Sequence, residues 1–278
     1  MDMDSISVLV SLNRNYLPQL QVLLTSIHCN TPGKRIALYL LHKGMKPEDY
    51  EGVGRQCMAY GDSFHPILVD DGLFAQAPAT RRYPPEMYYR LLAGQLLPRE
   101  VDRVIYLDPD ILVINPLTPL WELDLKGNLF AAAAHTGKTE LANNVNRLRL
   151  GTDHDYYNSG VLLMDLARCR REIVPEEIFR YVSKHAKELL LPDQDILNVL
   201  YGRRILPLED VVWNYDARNY NTYLLSSSGR WDLNWVMQHT AILHFCGKAK
   251  PWNKGYPYRF GLLYRHYAQV TRRLLEGI

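Results

Sequence analysis

No pair of cysteines at metal or redox spacing occurs in this chain. Its four cysteines, Cys29, Cys57, Cys169 and Cys246, stand far apart. This excludes a zinc ribbon or a CxxC redox centre and fits reduced thiols in a cytoplasmic protein better than a disulfide framework. No apolar run approaches the roughly 20 residues that a membrane-spanning helix needs. The opening Met1-Asp2-Met3-Asp4 is acidic, without a basic or an apolar segment, so no secretory signal is expected. Net charge is only +2, which gives no global signal for nucleic acid. Internal repeats and low-complexity linkers are missing as well.

What remains is ordinary globular composition, 47% hydrophobic and 22% charged over 278 residues. That length can bury a large core, as one α/β domain or one domain with a small appendage. Tyrosine is plentiful, at 19 residues. Its apolar ring and hydroxyl suit sugar and nucleotide contacts, although packing could use most of them.

Apolar patterning organises the chain. Residues 6 to 11 read as a buried strand, 35 to 41 as a second strand and 64 to 69 as a third short one. The first two are followed by helical stretches that begin near Pro18 and Pro47, where proline suits the first turn. In the first helix Leu20, Leu23, Leu24 and Ile27 recur at helical spacing, so that face is core. This β-α-β-α-β alternation predicts a parallel sheet covered by helices. Pro84-Pro85 reads as the start of another helix carrying Tyr88, Tyr89, Arg90, Leu91 and Leu92. Further strands are expected over 104 to 107, 111 to 114, 129 to 134, 160 to 164 and 241 to 245, and helices over 175 to 188 and from Pro192. Residues 115 to 128 read as a connection, and 135 to 157, polar and aperiodic, as a loop able to act as a flap. From 248 onward seven Lys and Arg face one acid, Glu276, with tyrosines and leucines interleaved. Such a segment either packs on its own domain with solvated arginines, the favoured reading, or lies on an anionic membrane surface.

The chemistry concentrates at Tyr106-Leu107-Asp108-Pro109-Asp110-Ile111. Two carboxylates one residue apart sit between apolar runs, where charge removed from water needs a partner. The plain reading is a polar turn, for which Asp-Pro-Asp is suitable. The other is a hard divalent cation held by both oxygens.

Four further segments weigh on that choice: Asn13-Arg14-Asn15-Tyr16, Asn158-Ser159-Gly160-Val161-Leu162-Leu163, Pro192-Asp193-Gln194-Asp195-Ile196-Leu197-Asn198, and His244-Phe245-Cys246-Gly247-Lys248-Ala249-Lys250-Pro251-Trp252. With the Asp pair, and in this order along nearly the whole chain, they resemble glycosyltransferase family 8. That family comprises retaining, nucleotide-sugar-dependent enzymes of the GT-A fold, among them lipooligosaccharide galactosyltransferases and glycogenin. The resemblance implies a mixed, mainly parallel sheet flanked by helices. Residues 1–250 would form the transferase domain and 251–278 a basic, tyrosine-rich helical extension.

The resemblance also implies roles. Asp108, Asp110 and His244 match metal ligands for Mn²⁺ or Mg²⁺, and Asp108 a ribose contact. Asn13, Asn15, Tyr16, Arg90, Gly247 and Lys250 match donor-binding positions, with UDP-glucose or UDP-galactose as donor. Asn158, Asp193 and Gln194 match residues at the transferred sugar. Each has a plainer reading: a capping loop for Asn13, a core histidine for His244, a surface or ion-paired residue for Arg90 and a helix N-cap for Asp193. Gln194 is a neutral amide and a poor nucleophile, so attack from the leaving-group face is favoured, with Asp193 the stronger nucleophile if one is used.

The expected reaction is hexose transfer to a saccharide or glycolipid in cell-envelope oligosaccharide synthesis. It would occur in the cytoplasm, with residues 258–278 the candidate contact to the inner face of the membrane and no nucleic acid partner. Two alternatives are a non-catalytic nucleotide-sugar-binding scaffold and a sugar nucleotidyltransferase. The second is disfavoured because Ser11 to Tyr16 contains no glycine for a phosphate loop. Acceptor loops are expected at 70–84 and 135–157.

Overall fold

The computed structural model describes residues 5–74, 85–134 and 139–277. Strands β1 (Ser5–Ser11), β2 (Arg35–His42) and β3 (Ser63–Leu68) pair in parallel, as the alternation predicts. Most of β1 and β2 is buried on both faces, which is why they read as continuous apolar runs rather than alternating ones. Leu9, Tyr39 and Leu41 feed one core, while Val8, Val10, Leu38 and Leu40 feed the core on the opposite face. The helices Leu17–Asn30 and Pro47–Tyr60 make the crossovers, each with proline in its first turn.

Strand β4 (Arg103–Leu107) joins β1 in parallel. Beyond it the sheet continues with β7 (Val161–Asp165), β6 (Phe130–Ala133) and β8 (Ile205–Leu208), giving the order β3-β2-β1-β4-β7-β6-β8. β7 runs antiparallel to both neighbours, so the sheet is mixed but mainly parallel. The register Leu107↔Val161 matters most, because it sets the residue after β4 beside the residue before β7.

A second, three-stranded sheet carries the other half of the site. β10 (Ile242–His244) lies between β5 (Ile111–Val113) and β9 (Tyr215–Asp216). His244 is paired with Ile111 on one side and Asp216 on the other.

Several expectations are corrected. Arg90 is not on a helix: Pro85–Tyr88 is a single 3-10 turn, Arg90 lies in the turn that follows, and the next helix is only Ala93–Leu96. A tight passage there is enforced by Gly94, whose Cβ would stand 3.1 Å from the Arg170 backbone nitrogen. The stretch read as an aperiodic flap contains a helix, Thr139–Leu150, anchored by Arg149 on Asp195 at 2.7 Å. The connection at 115–128 includes the short helix Thr118–Trp121. Most of the expected acceptor loop at 70–84 lies outside the described residues, as do residues 135–138 of the other.

The C-terminal helix, Gly261–Leu275, packs on the helix Leu17–Asn30, where Thr271 Oγ1 donates to Thr25 Oγ1 at 2.9 Å. Phe260 and Tyr264 belong to one apolar cluster with Leu112, Leu243 and Phe245 of the small sheet. Arg265, Arg272 and Arg273 face outward. No helix among the described residues is long and apolar enough to cross a membrane.

Candidate active site

The β4–β7 register brings Asp108 against Gly160: Asp108 N–H donates to Gly160 O at 2.8 Å. The small sheet brings His244 to Asp110, whose carbonyl accepts from Phe245 N–H at 2.9 Å. His244 Nε2 then stands 3.3 Å from Asp110 Oδ1 and 3.9 Å from Asp108 Oδ2. One ligand atom from each of the three residues lies within 4.8 Å of the others. Oxygens around a small divalent cation with bonds of roughly 2.1 Å sit about 3 Å apart, so the two carboxylates and one imidazole fit such an ion after small adjustments. The Asp-Pro-Asp turn is therefore also a convergence point, and one feature serves as the turn and as a pair of candidate ligands.

Each member is held from behind. Asp108 Oδ1 accepts from Tyr106 Oη at 2.8 Å and pairs with Arg90 Nη2 at 3.0 Å. Arg90 Nη1 also reaches Asp193 Oδ2 at 3.2 Å and Ser159 O at 3.0 Å. Burial opposes the Arg90 charge, but Asp108, Tyr106 and Asp193 outweigh it and hold the guanidinium protonated. Asp110 pairs with Lys250 Nζ, which also donates to Phe245 O at 2.9 Å. Burial would raise the Asp110 pKa; His244 and Lys250 reverse this and hold it well below the usual carboxylate range. For His244 burial favours the neutral ring, yet Cys246 and Asp110 lift its pKa well above the ordinary value. A cation entering here displaces that proton.

An amide chain fixes the imidazole. His244 Nδ1 donates to Asn214 Oδ1 at 2.8 Å, Asn214 Nδ2 donates to Asn158 Oδ1 at 2.9 Å, and Asn158 Nδ2 donates to Gln194 Oε1 at 3.1 Å. All three bonds run in one direction, which turns Nε2 toward the carboxylates. Asn158 Oδ1 additionally caps Gly160 N–H at 2.9 Å.

Asp193 is not the N-cap of the helix Pro192–Tyr201; Leu191 occupies that position and Pro192 opens the helix. Its carboxylate faces Arg90 and accepts from Ser159 Oγ at 3.0 Å. The structural acid of this segment is Asp195, fully buried. It accepts from Arg149, from Tyr156 Oη at 2.5 Å and from the backbone of Leu190 at 2.7 Å. Asp195→Ala is expected to destabilise the chain by about 3 kcal/mol or more, because buried donors and a cation lose their acceptor. Denaturant unfolding checks this, and a loss below about 1 kcal/mol would contradict it.

Asp108, Asp110, Asn158, Asp193, Gln194, His244 and Gly247 thus line one cavity of about 550 Å³, together with Arg90. Asn13, Asn15 and Tyr16 do not line it. They form a 3-10 turn after β1, with Asn13 Oδ1 accepting from Asn15 N–H at 3.0 Å, so Asn13 does act as a cap. Tyr16 meets Trp252 edge to face at 6.3 Å, which joins this turn to the segment carrying Lys250. Sequence reading missed Asn214, Tyr106 and Arg218. For Asn214 a signal existed: a polar residue within Val211-Val212-Trp213-Asn214-Tyr215 must find a buried partner.

The chain is similar to known proteins over nearly its whole length. The model of glycosyl transferase family 8 matches residues 7–255. General stress protein A of Bacillus subtilis (strain 168) is 29% identical over 93% of this chain and 91% of its own length. Lipopolysaccharide 1,2-glucosyltransferase of Escherichia coli (strain K12) is 26% identical over 90% of this chain and 74% of its own. Among solved structures, galactosyltransferase LgtC in complex with donor and acceptor sugar analogs superposes with a TM-score of 0.79 and 26% identity, over 95% of this chain and 96% of that one.

Proposed function

Because this chain belongs to glycosyltransferase family 8, we propose that it moves glucose or galactose from a UDP-sugar to a saccharide or glycolipid acceptor of the cell envelope, with Mn²⁺ or Mg²⁺ bound. The observation that carries the reading is the convergence of Asp108, Asp110 and His244 in the cavity that also holds Asn158, Asp193 and Gln194. The lipopolysaccharide glucosyltransferase and the galactosyltransferase among its relatives support a hexose and an envelope acceptor.

Asp108, Asp110 and His244 would hold a divalent ion, with Arg90 and Tyr106 keeping Asp108 in place for it, and the ion would supply positive charge to the leaving nucleoside diphosphate. Lys250 pairs with Asp110 and does not line the cavity, and it would bring a second positive charge toward the diphosphate from behind that carboxylate. Asp193 Oδ2 is already shared by Arg90 and Ser159, which lowers its nucleophilicity and leaves Oδ1 for a donor-sugar hydroxyl. Gln194 Oε1 accepts from Asn158 Nδ2, and the other lone pair of that oxygen would stabilise positive charge at the anomeric carbon. With neither group suited to form a covalent intermediate, the acceptor attacks from the leaving-group face and its proton passes to a diphosphate oxygen.

Thermal unfolding against a panel of nucleotides and UDP-sugars, with Mn²⁺ or with chelator, tests the donor. A ligand of the native state raises the midpoint by mass action. UDP and one UDP-hexose are expected to raise it only with the metal; no shift with any member of the panel would contradict the reading.

Contact with anionic lipid through the outward Arg265, Arg272 and Arg273 belongs to the same proposal. Charge reversal at these three positions tests it and should lower liposome binding; unchanged binding removes it. Truncation at 258 does not test it, since Phe260 and Tyr264 are core.

A further inference from the structure

One cation of the cavity has no part in the reaction described so far. Arg218 follows β9 and lines the same cavity as Asp108, Asp110 and His244. Its fork is gripped from outside that cavity: Nε reaches Asp216 Oδ1 at 2.9 Å and Nη2 reaches Asp216 Oδ2 at 2.7 Å. Asp216 is 1% exposed and does not line the cavity. It also accepts from Arg218 N–H at 3.0 Å and from Asn219 Nδ2 at 2.8 Å. Two parallel bonds to a buried carboxylate fix the plane of the guanidinium.

The third nitrogen, Nη1, is directed at Gly247, where a Cβ would stand 2.4 Å from it. Gly247 has φ +83°, so backbone conformation and close approach both call for glycine there. Arg90 and Lys250 differ from Arg218 in a telling way. They spend their charge on Asp108, Asp193 and Asp110, the carboxylates of the site itself. Arg218 is neutralised by a carboxylate behind the wall, and its side chain remains 35% exposed. It is a donor fixed in advance, so little rotamer freedom is lost when Nη1 takes an acceptor.

We propose that Arg218 is an anion-binding residue of this cavity and takes a phosphate or carboxylate oxygen of a bound substrate through Nη1. The inference rests on the transferase reading and deepens it. The anion has two sources, the donor diphosphate or an acid group on the acceptor saccharide, and titration calorimetry in Mn²⁺ separates them. Wild type and Arg218→Ala are titrated with UDP and with uridine. Each UDP-loaded protein is then titrated with galactose, galacturonate and galactose 1-phosphate.

If the donor supplies the anion, Arg218→Ala weakens UDP by about 10- to 100-fold, the loss of one charged hydrogen bond, and leaves uridine unchanged. If the acceptor supplies it, UDP affinity is unchanged. Galacturonate or galactose 1-phosphate then binds the loaded wild type and loses about 10-fold or more in the variant, while neutral galactose does not discriminate. Arg218→Lys, which keeps the charge without the fork, recovers part of either effect. It replaces Arg218→Ala in the comparison should the latter fail to fold. Equal behaviour of wild type and variants toward UDP and both acidic probes overturns the proposal, including the case in which neither protein binds the acidic probes. Failure of the wild type to bind UDP would instead overturn the transferase reading, and Arg218 would be judged on the acidic probes alone.

Discussion

Asp110→Asn is expected to lower hexose transfer by about a thousandfold or more and to abolish the metal-dependent part of UDP binding. Asp110 is the hub of the site: His244 Nε2 stands 3.3 Å from one of its oxygens and Lys250 pairs with the other. Asparagine presents one oxygen and one NH₂, so whichever way it turns, a donor meets a cation or a ring N–H. The charge that draws a divalent ion falls by one unit, and a ligand bond is lost with it. Metal stabilisation of a leaving diphosphate is worth several kcal/mol, and each 1.36 kcal/mol is about tenfold in rate. Calorimetry of UDP in Mn²⁺ and in chelator reads the binding half of the prediction, and product release reads the other. Unaltered Mn²⁺-dependent affinity would return Asp108-Pro109-Asp110 to a plain turn.

Gly160→Ala is expected to reduce activity by about a hundredfold or more while the fold persists. A Cβ at this position would stand 2.4 Å from His244 Cε1, 2.6 Å from Asp108 Oδ2 and 3.1 Å from Asn158 Oδ1. The methyl group would therefore press on two of the three proposed metal ligands and on Asn158, the amide that holds Gln194. Relief requires His244 or Asp108 to move, yet each is tied from behind by Asn214 or by Arg90 and Tyr106. Misplacement of about 1 Å at such a centre costs about a hundredfold in rate, and forced repacking costs roughly 1–3 kcal/mol of stability. Gly52→Ala is the control: it lies in the helix Pro47–Tyr60, its Cβ meets only Gln21 Nε2 at 3.4 Å, and the gain in helix propensity offsets that contact. Wild-type metal affinity and rate in Gly160→Ala would show that the space beside residue 160 is not where the ion binds.

The regular half of the fold was legible because it is local. Strands β1 and β2 are buried on both faces, so their apolar runs have no competing helical period, and Pro18 and Pro47 mark the crossovers. The small sheet was only half legible. β5 and β10 read as strands, but the two-residue β9 carries no pattern of its own and is defined by its pairing with β10. Arg90 reads as helical from local sequence, since a tyrosine-rich segment follows two prolines, while the chain there makes a turn that aims the guanidinium at Asp108 and Asp193. Asp193 illustrates the reverse error: an acid near a helix start reads as a cap, but its partners, Arg90 and Ser159, come from elsewhere in the chain. Asn214 and Arg218 were missed for the same reason. Their roles depend on His244, Asn158 and Gly247, which only the tertiary fold brings to them.

The most direct test of the account is hydrolysis of UDP-glucose and UDP-galactose by the wild-type chain without acceptor, with the released sugar followed by NMR. The account predicts slow release of UDP from one of the two in Mn²⁺, arrest by chelator, and a hexose that first appears as the α-anomer. Release insensitive to chelator, first appearance of the β-anomer, or no release from either donor would contradict it.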